Sequence, residues 1–127
     1  MTEICVIDDD RDMQRALRDH LELDGFKVRE ASNAYDAVRL IEYHDSEIAI
    51  VDLAMTAKEG LSTVLEIKKR FKQNVRVLAI VDIDAQALGL AHALGADDAV
   101  PKPVHPATLL ACVRKMMRGS SSPGAEI

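Results

Sequence analysis

The sequence predicts an α/β protein built on a five-stranded, doubly wound parallel sheet. Two observations carry this. Short β-branched runs alternate with amphipathic helical runs from one end of the chain to the other, and strict alternation of this kind calls for parallel strands joined by crossover helices. The runs are aliphatic, with 48% hydrophobic residues but only 3% aromatics, so the core is Val, Ile, Leu, Ala and Met. A chain of 127 residues suits one domain and can bury such a core without disulfide or metal staples.

The first strand is "EICVI", Glu3 to Ile7. A helix follows from Arg11 to about Asp24, with Met13, Ala16, Leu17 and Leu21 at helical spacing and Gly25 just past its end. "FKVRE", Phe26 to Glu30, alternates apolar and polar residues, as a strand exposed on one side does. Asn33 caps a second helix whose Ala34, Ala37, Val38 and Ile41 share a face. "EIAIV", Glu47 to Val51, is a buried strand running into Asp52. The third helix is expected from about Leu61 to Phe71, and the fourth strand is "VRVLAIV", Val75 to Val81. A fourth helix covers roughly Asp84 to Leu94 and stops at Gly95. "DDAV", Asp97 to Val100, is a short fifth strand, and the last helix starts at Pro106, a favoured first position, with Leu109, Leu110, Val113 and Met117 on one face. The domain is expected over residues 1–118. The tail "GSSSPGAEI", Gly119 to Ile127, is small and unpatterned and reads as a disordered end or the start of a linker.

Composition excludes several classes. The formal net charge of −5 argues against a nucleic-acid surface, and "KKRFK" reads as a solvated face. No segment approaches the apolar length of a membrane span, and no signal-peptide pattern precedes the first strand, so a reduced, cytoplasmic protein is expected, with Cys5 and Cys112 as buried thiols. His20 and His44 are expected to face solvent, His92 and His105 lack metal-ligand spacing, and Met116–Met117 reads as helix packing.

The chemistry gathers at strand ends. Asp8, Asp9 and Asp10 close the first strand, Asp52 closes the third, and Lys102 follows the fifth. In open α/β sheets ligands bind outside the carboxyl ends of the strands, where the strand order reverses. If the first and third strands are neighbours, Asp8, Asp9 and Asp52 converge, and three close anions call for a cation. Mg²⁺ suits them as a hard ion with oxygen ligands. Such a site accepts a further anion, such as a phosphoryl group balanced by Lys102, and a carboxylate can itself be the nucleophile. Asp10 and Asp12 read instead as turn and cap residues.

Together "IDDD", "VDLAM", "LGADDAVPKP" and Gly60, eight residues past Asp52, resemble the receiver domain of two-component response regulators over about residues 3 to 118. The resemblance implies strand order 2-1-3-4-5, with Asp52 as phosphoacceptor. It implies Mg²⁺ held by Asp9, Asp52 and the backbone carbonyl of Ala54, with Asp8 acting through water. It implies Lys102 on the phosphoryl group, and a cis Lys102–Pro103 bond that would aim Lys102 into the cleft. The implied partners are a histidine kinase or phosphotransfer protein upstream and an effector protein or C-terminal output domain downstream. The domain would catalyse only its own phosphorylation and dephosphorylation. Receivers of this family signal through the face of helix four, strand five and helix five. Here helix four, "DAQALGLAHAL", is rich in Ala and Leu, and a weak homodimer is one expected use of an apolar patch there; ordinary packing on the sheet is the other reading.

Three positions depart from the family pattern. Its Ser/Thr at the end of strand four falls on Ile80, or on Val81 if the gap lies differently; its Tyr/Phe on strand five falls on Ala99; and its proline after the acceptor falls on Thr56. A second reading is therefore a degenerate receiver that binds partners without phosphorylation; loss of both switch residues favours it and retention of Asp8, Asp9, Asp52 and Lys102 opposes it. A phosphatase with an aspartyl nucleophile is disfavoured because Ala54 stands where a second Asp would act as general acid. A dinucleotide enzyme is disfavoured because no glycine-rich turn follows the first strand.

Overall fold

The computed structural model describes residues 2–53, 57–82 and 85–125, with backbone alone at residues 57, 58, 85–88 and 118–125. Strands β1 (Glu3–Ile7), β2 (Lys27–Ala31), β3 (Ile48–Asp52), β4 (Arg76–Val81) and β5 (Asp98–Pro101) form one parallel sheet in the order β2-β1-β3-β4-β5. Helices α1 (Arg11–Leu23), α2 (Ala34–His44), α3 (Ala57–Phe71), α4 (Ala85–Ala93) and α5 (Pro106–Ala125) connect and follow the strands, with a short 3-10 turn at Lys72–Asn74.

Strand alternation sorts the core into two layers. Cys5, Ile7, Ala49, Val51, Val77, Ala79 and Val81 point toward α2, α3 and α4, where Ala37, Ile41, Val64, Ile67 and Ala91 meet them. Ile4, Val6, Ile48, Ile50, Leu78, Ile80 and Val100 point the other way, onto Leu17, Leu21, Leu109, Val113 and Met116 of α1 and α5. A strand buried on both faces has no polar face to alternate, which is why β3 and β4 read as continuous apolar runs.

Local signals set several boundaries. The Asp10 carboxylate accepts from the Asp12 and Met13 N–H groups and caps α1, as expected of it. Asn33 accepts from Asp36 N–H and caps α2. Gly25 leaves α1 at φ +93°, a conformation that side chains other than glycine's resist.

Elsewhere the structure corrects the sequence reading. Helix α3 begins at Ala57, a turn before Leu61, because Gly60 lies inside it rather than ahead of it: a Cβ there would fall 2.8 Å from the Leu53 Cα, so glycine lets the first turn ride on the end of β3. In α1 the buried position falls to Gln14 while Ala16 is exposed. Helix α5 runs on through residues 119–125, where a tail or the start of a linker is expected. Cys112 is half-buried rather than buried. His20 and His44 are likewise half-buried, and the ring of His44 meets Tyr43 edge to face. In α4, Ala91 is buried against the sheet and Leu90 is half exposed, so one side of that helix is accounted for by ordinary packing.

At the end of the sheet opposite the carboxyl ends of the strands, one ammonium ties three segments together. Lys68 Nζ on α3 donates to the Lys72 and Val75 carbonyls and to Asp97 Oδ2, each at 3.0 Å. Asp97 Oδ2 also accepts from Val77 N–H at 2.8 Å. The Lys68 stem packs under Gly95, where an added Cβ would stand 3.3 Å from its Cγ. Lys68→Met keeps the stem but removes the donors, leaving a partly buried carboxylate and two carbonyls short of a partner. Urea denaturation should show a loss of about 1–3 kcal/mol.

Candidate functional site

Strand order brings the chemistry together. Adjacent β1 and β3 end side by side, with Asp8 just past the end of β1 and Asp52 the last residue of β3. Asp8 is 1% exposed and Asp52 2%. Across the crevice Lys102, just past β5, places Nζ 2.9 Å from Asp52 Oδ2, with about a third of its side chain open to solvent. Backbone bonds hold the strand ends in line. Leu53 N–H donates to the Ile80 carbonyl and Lys102 N–H to the Val81 carbonyl, each at 2.8 Å. The Lys102–Pro103 peptide is cis.

Asp8 is held differently at its two oxygens. Oδ1 accepts from Asp10 N–H at 2.9 Å. Oδ2 is buried and receives no donor, and the Asp52 carboxylate is an acidic neighbour of Asp8. Burial first, then the neighbouring Asp52, push the Asp8 carboxyl up to about 7, against the opposing pull of Asp10 N–H and Lys102. Burial pulls the Lys102 ammonium down, but Asp52, with Asp8 and Asp82 behind it, outweighs burial and raises the group above an ordinary lysine.

The expected site residues fall into three groups. Asp8, Asp52 and Lys102 are brought together. Asp9 is exposed beside them, and among the described residues no three Asp, Glu, His or Cys side chains converge on one point. Ala54 and Thr56 lie outside the described residues. The donor set still fits a hard cation, because Mg²⁺ takes one or two carboxylates and completes its shell with water. The orphaned, buried Asp8 Oδ2 beside a second carboxylate is an oxygen pair of that kind.

On β4 and β5, the positions expected to depart from the family pattern carry aliphatic side chains. Ile80 is fully buried in the layer under α1 and α5, Val81 is fully buried in the opposite layer, and neither carries a hydroxyl. Ala99 is partly buried against the α2–α4 layer, with no ring to move. Two site residues escaped the sequence reading. Asp82 follows β4 and adds its charge near Lys102, and its signal was the same strand-end position that marked Asp8 and Asp52. Gln14 reaches the Asp8 backbone from α1, and its only signal was a polar residue at helical spacing with Leu17 and Leu21. An open cleft lined by Asp10, Met13, Lys102, Pro103 and Val104 adjoins the site. A larger cavity, lined among others by Glu30, Ser32, Arg39 and Tyr43, lies between β2 and α2 and shares none of the site residues.

Residues 4–114 match the family described as response regulator receiver domain. A CpxR homolog of Haemophilus influenzae, described as a transcriptional regulatory protein, is 34% identical over 131 residues, covering 100% of this chain and 55% of its own length. CpxR of Escherichia coli is 33% identical over 123 residues, covering 94% of this chain and 51% of its own. The chain thus spans about half the length of these curated relatives. Among solved structures, a response regulator from Thermotoga maritima superposes with a TM-score of 0.82 at 25% identity, covering 92% of this chain and 98% of the other.

The raised Asp8 carboxyl makes the metal-free protein sensitive to pH. Its value in the folded state lies above the ordinary 3.8, so folding favours the protonated form. That stability is complete below about pH 4 and is lost as the pH rises through about 7. Denaturation of the metal-free chain between pH 5 and 7 should therefore show stability falling, by at most about 1.4 kcal/mol per pH unit for one proton. Asp8→Asn should flatten that part of the profile; an unchanged slope would place the titrating group elsewhere.

Proposed function

The chain belongs to the response regulator receiver domain family of two-component signal transduction, and on that premise we propose that Asp52 is its phosphoacceptor. The observation that carries this is the buried Asp52 carboxylate, hydrogen-bonded to Lys102 Nζ at 2.9 Å beside the orphaned oxygen of Asp8. A histidine kinase or phosphotransfer protein is the proposed donor. An Asp52 oxygen attacks the phosphorus, the new O–P bond forms as the P–N bond to the donor histidine breaks, and the electron pair leaves with the imidazole. Lys102, already against Asp52, is placed to turn its ammonium onto a phosphoryl oxygen. Asp9, Asp52 and the Ala54 carbonyl would hold Mg²⁺, with Asp8 acting through water. When bound, the ion offsets the negative charge of the carboxylates and of the incoming phosphoryl group.

Cytoplasmic location is part of the same reading, and no helix among the described residues is long and apolar enough to cross a membrane. Residues 1–118 are proposed as the receiver and 119–127 as the start of a connection to an output domain. The half-length match to longer regulatory proteins and the run of α5 to Ala125 support this. The phosphorylation-independent binding module is the weaker reading, because such a module has no use for a buried acid pair opposed by a lysine.

Two measurements test the proposal. Intact mass after incubation with a small phosphodonor and Mg²⁺ should show one added phosphoryl group on wild type and none on Asp52→Asn. Equal labelling of the two would remove Asp52 from the role. The second concerns switching. A hydroxyl bonded to a charged phosphoryl oxygen contributes about 1.5–3 kcal/mol, and Ile80 has none to offer. The bias toward an active state should be weaker by about ten- to a hundredfold. Amide shifts with a phosphoryl mimic at Asp52 should therefore change around Asp52 and Lys102 and little along residues 85–100. Large cooperative changes across α4 and β5 would show a complete switch built from other residues.

A further inference from the structure

We propose that Gln14 is a positioning residue, whose amide holds the Asp8 main chain in register so that Asp8 and Asp9 meet a divalent cation. The starting point is a polar side chain where the helix pattern calls for an apolar one. Gln14 is 6% exposed, on the same face of α1 as buried Leu17 and Leu21. A buried amide must find partners, and these are specific. Nε2 donates to the Asp8 carbonyl, to the Ala31 carbonyl at 2.9 Å and to Ser32 Oγ at 3.1 Å. Three acceptors for two protons leave it no capacity for water.

The geometry explains why a side chain is needed there. The β1–β2 ladder ends with Ile7 opposite Ala31, and one further bond, Asp8 N–H to the Ala31 carbonyl at 3.0 Å, carries it to Asp8. In a continued ladder the Asp8 carbonyl would take its donor from the next stretch of β2. But β2 stops at Ala31 and the chain turns into α2 at Asn33. Gln14 supplies the missing donor from α1, extending the sheet by one peptide. That peptide is the one between Asp8 and Asp9, so fixing its plane fixes where both carboxylates leave the backbone. A hydrocarbon of the same size would leave the Asp8 carbonyl buried without this donor and free the peptide to rotate.

This role rests on the reading of the Asp8–Asp52 crevice as a metal-assisted phosphoacceptor site, and it acts through position rather than contact with the phosphoryl group. Residues that orient metal ligands from behind typically change affinity by about ten- to a hundredfold when replaced. Mg²⁺ titration of the full chain, followed by amide chemical shifts, should give a Kd weaker by that factor in Gln14→Met. The same is expected of Gln14→Asn, which keeps the amide but falls short of the carbonyls. Leu17→Ala, on the same buried face without a polar contact, should lose stability and keep the wild-type Kd. A wild-type Kd in both folded Gln14 variants overturns the positioning role alone. Failure of both to fold while Leu17→Ala folds makes Gln14 a stability residue and also overturns it. Wild type that binds no Mg²⁺ and takes up no phosphoryl group overturns the functional reading beneath it.

Discussion

Two carboxylates buried within reach of each other, with one ammonium against them, set the terms for this molecule. Asp8 and Asp52 are almost wholly removed from water, and like charges there repel strongly. Left alone, the pair would drive one acid to take a proton, which is the direction in which Asp8 is pushed. Lys102 opposes that by pairing with Asp52. The arrangement costs folding free energy and is useful because it leaves room for positive charge, as a functional site commonly does.

The rest of the fold serves to keep that costly arrangement in place. Parallel pairing of β1 with β3 and of β3 with β4 lines up the ends that carry Asp8, Asp52 and the Ile80 carbonyl. Apolar layers on both faces make the sheet stiff, since close-packed interiors yield little. Gly60 lets α3 start directly against the turn after Asp52. Lys68 and Asp97 bind the far ends of β4 and β5 to α3. The end of the sheet opposite the crevice is thus tied down.

Beside the crevice, β4 and β5 carry only aliphatic side chains at Ile80, Val81 and Ala99. Ile80 and Val81 turn their side chains into the two apolar layers, so the end of β4 presents main-chain carbonyls, bonded to Leu53 and Lys102, and no hydroxyl. Ala99 fills little space and has no rotamer change to transmit. Asp82 brings another negative charge toward Lys102.

The alternation of aliphatic strands and amphipathic helices, and the placing of acids at strand ends, were written in the sequence, because burial period and turn chemistry are local properties. The parallel sheet followed from them, and Asp8, Asp9, Asp52 and Lys102 stood out as a combination of an acidic pair, a lone strand-end Asp and a Lys-Pro step. Other features depended on contacts between distant segments. The start of α3 hung on how closely Gly60 meets Leu53, which no local pattern records. The exposure of Asp9 beside buried Asp8 depended on the peptide plane between them, and that plane is set by a glutamine on a neighbouring helix. Helical spacing treats Gln14 as a flaw in an apolar face. Only the packed structure shows that it replaces a strand bond that ends too soon, because a hydrogen bond between elements exists only once both are in place.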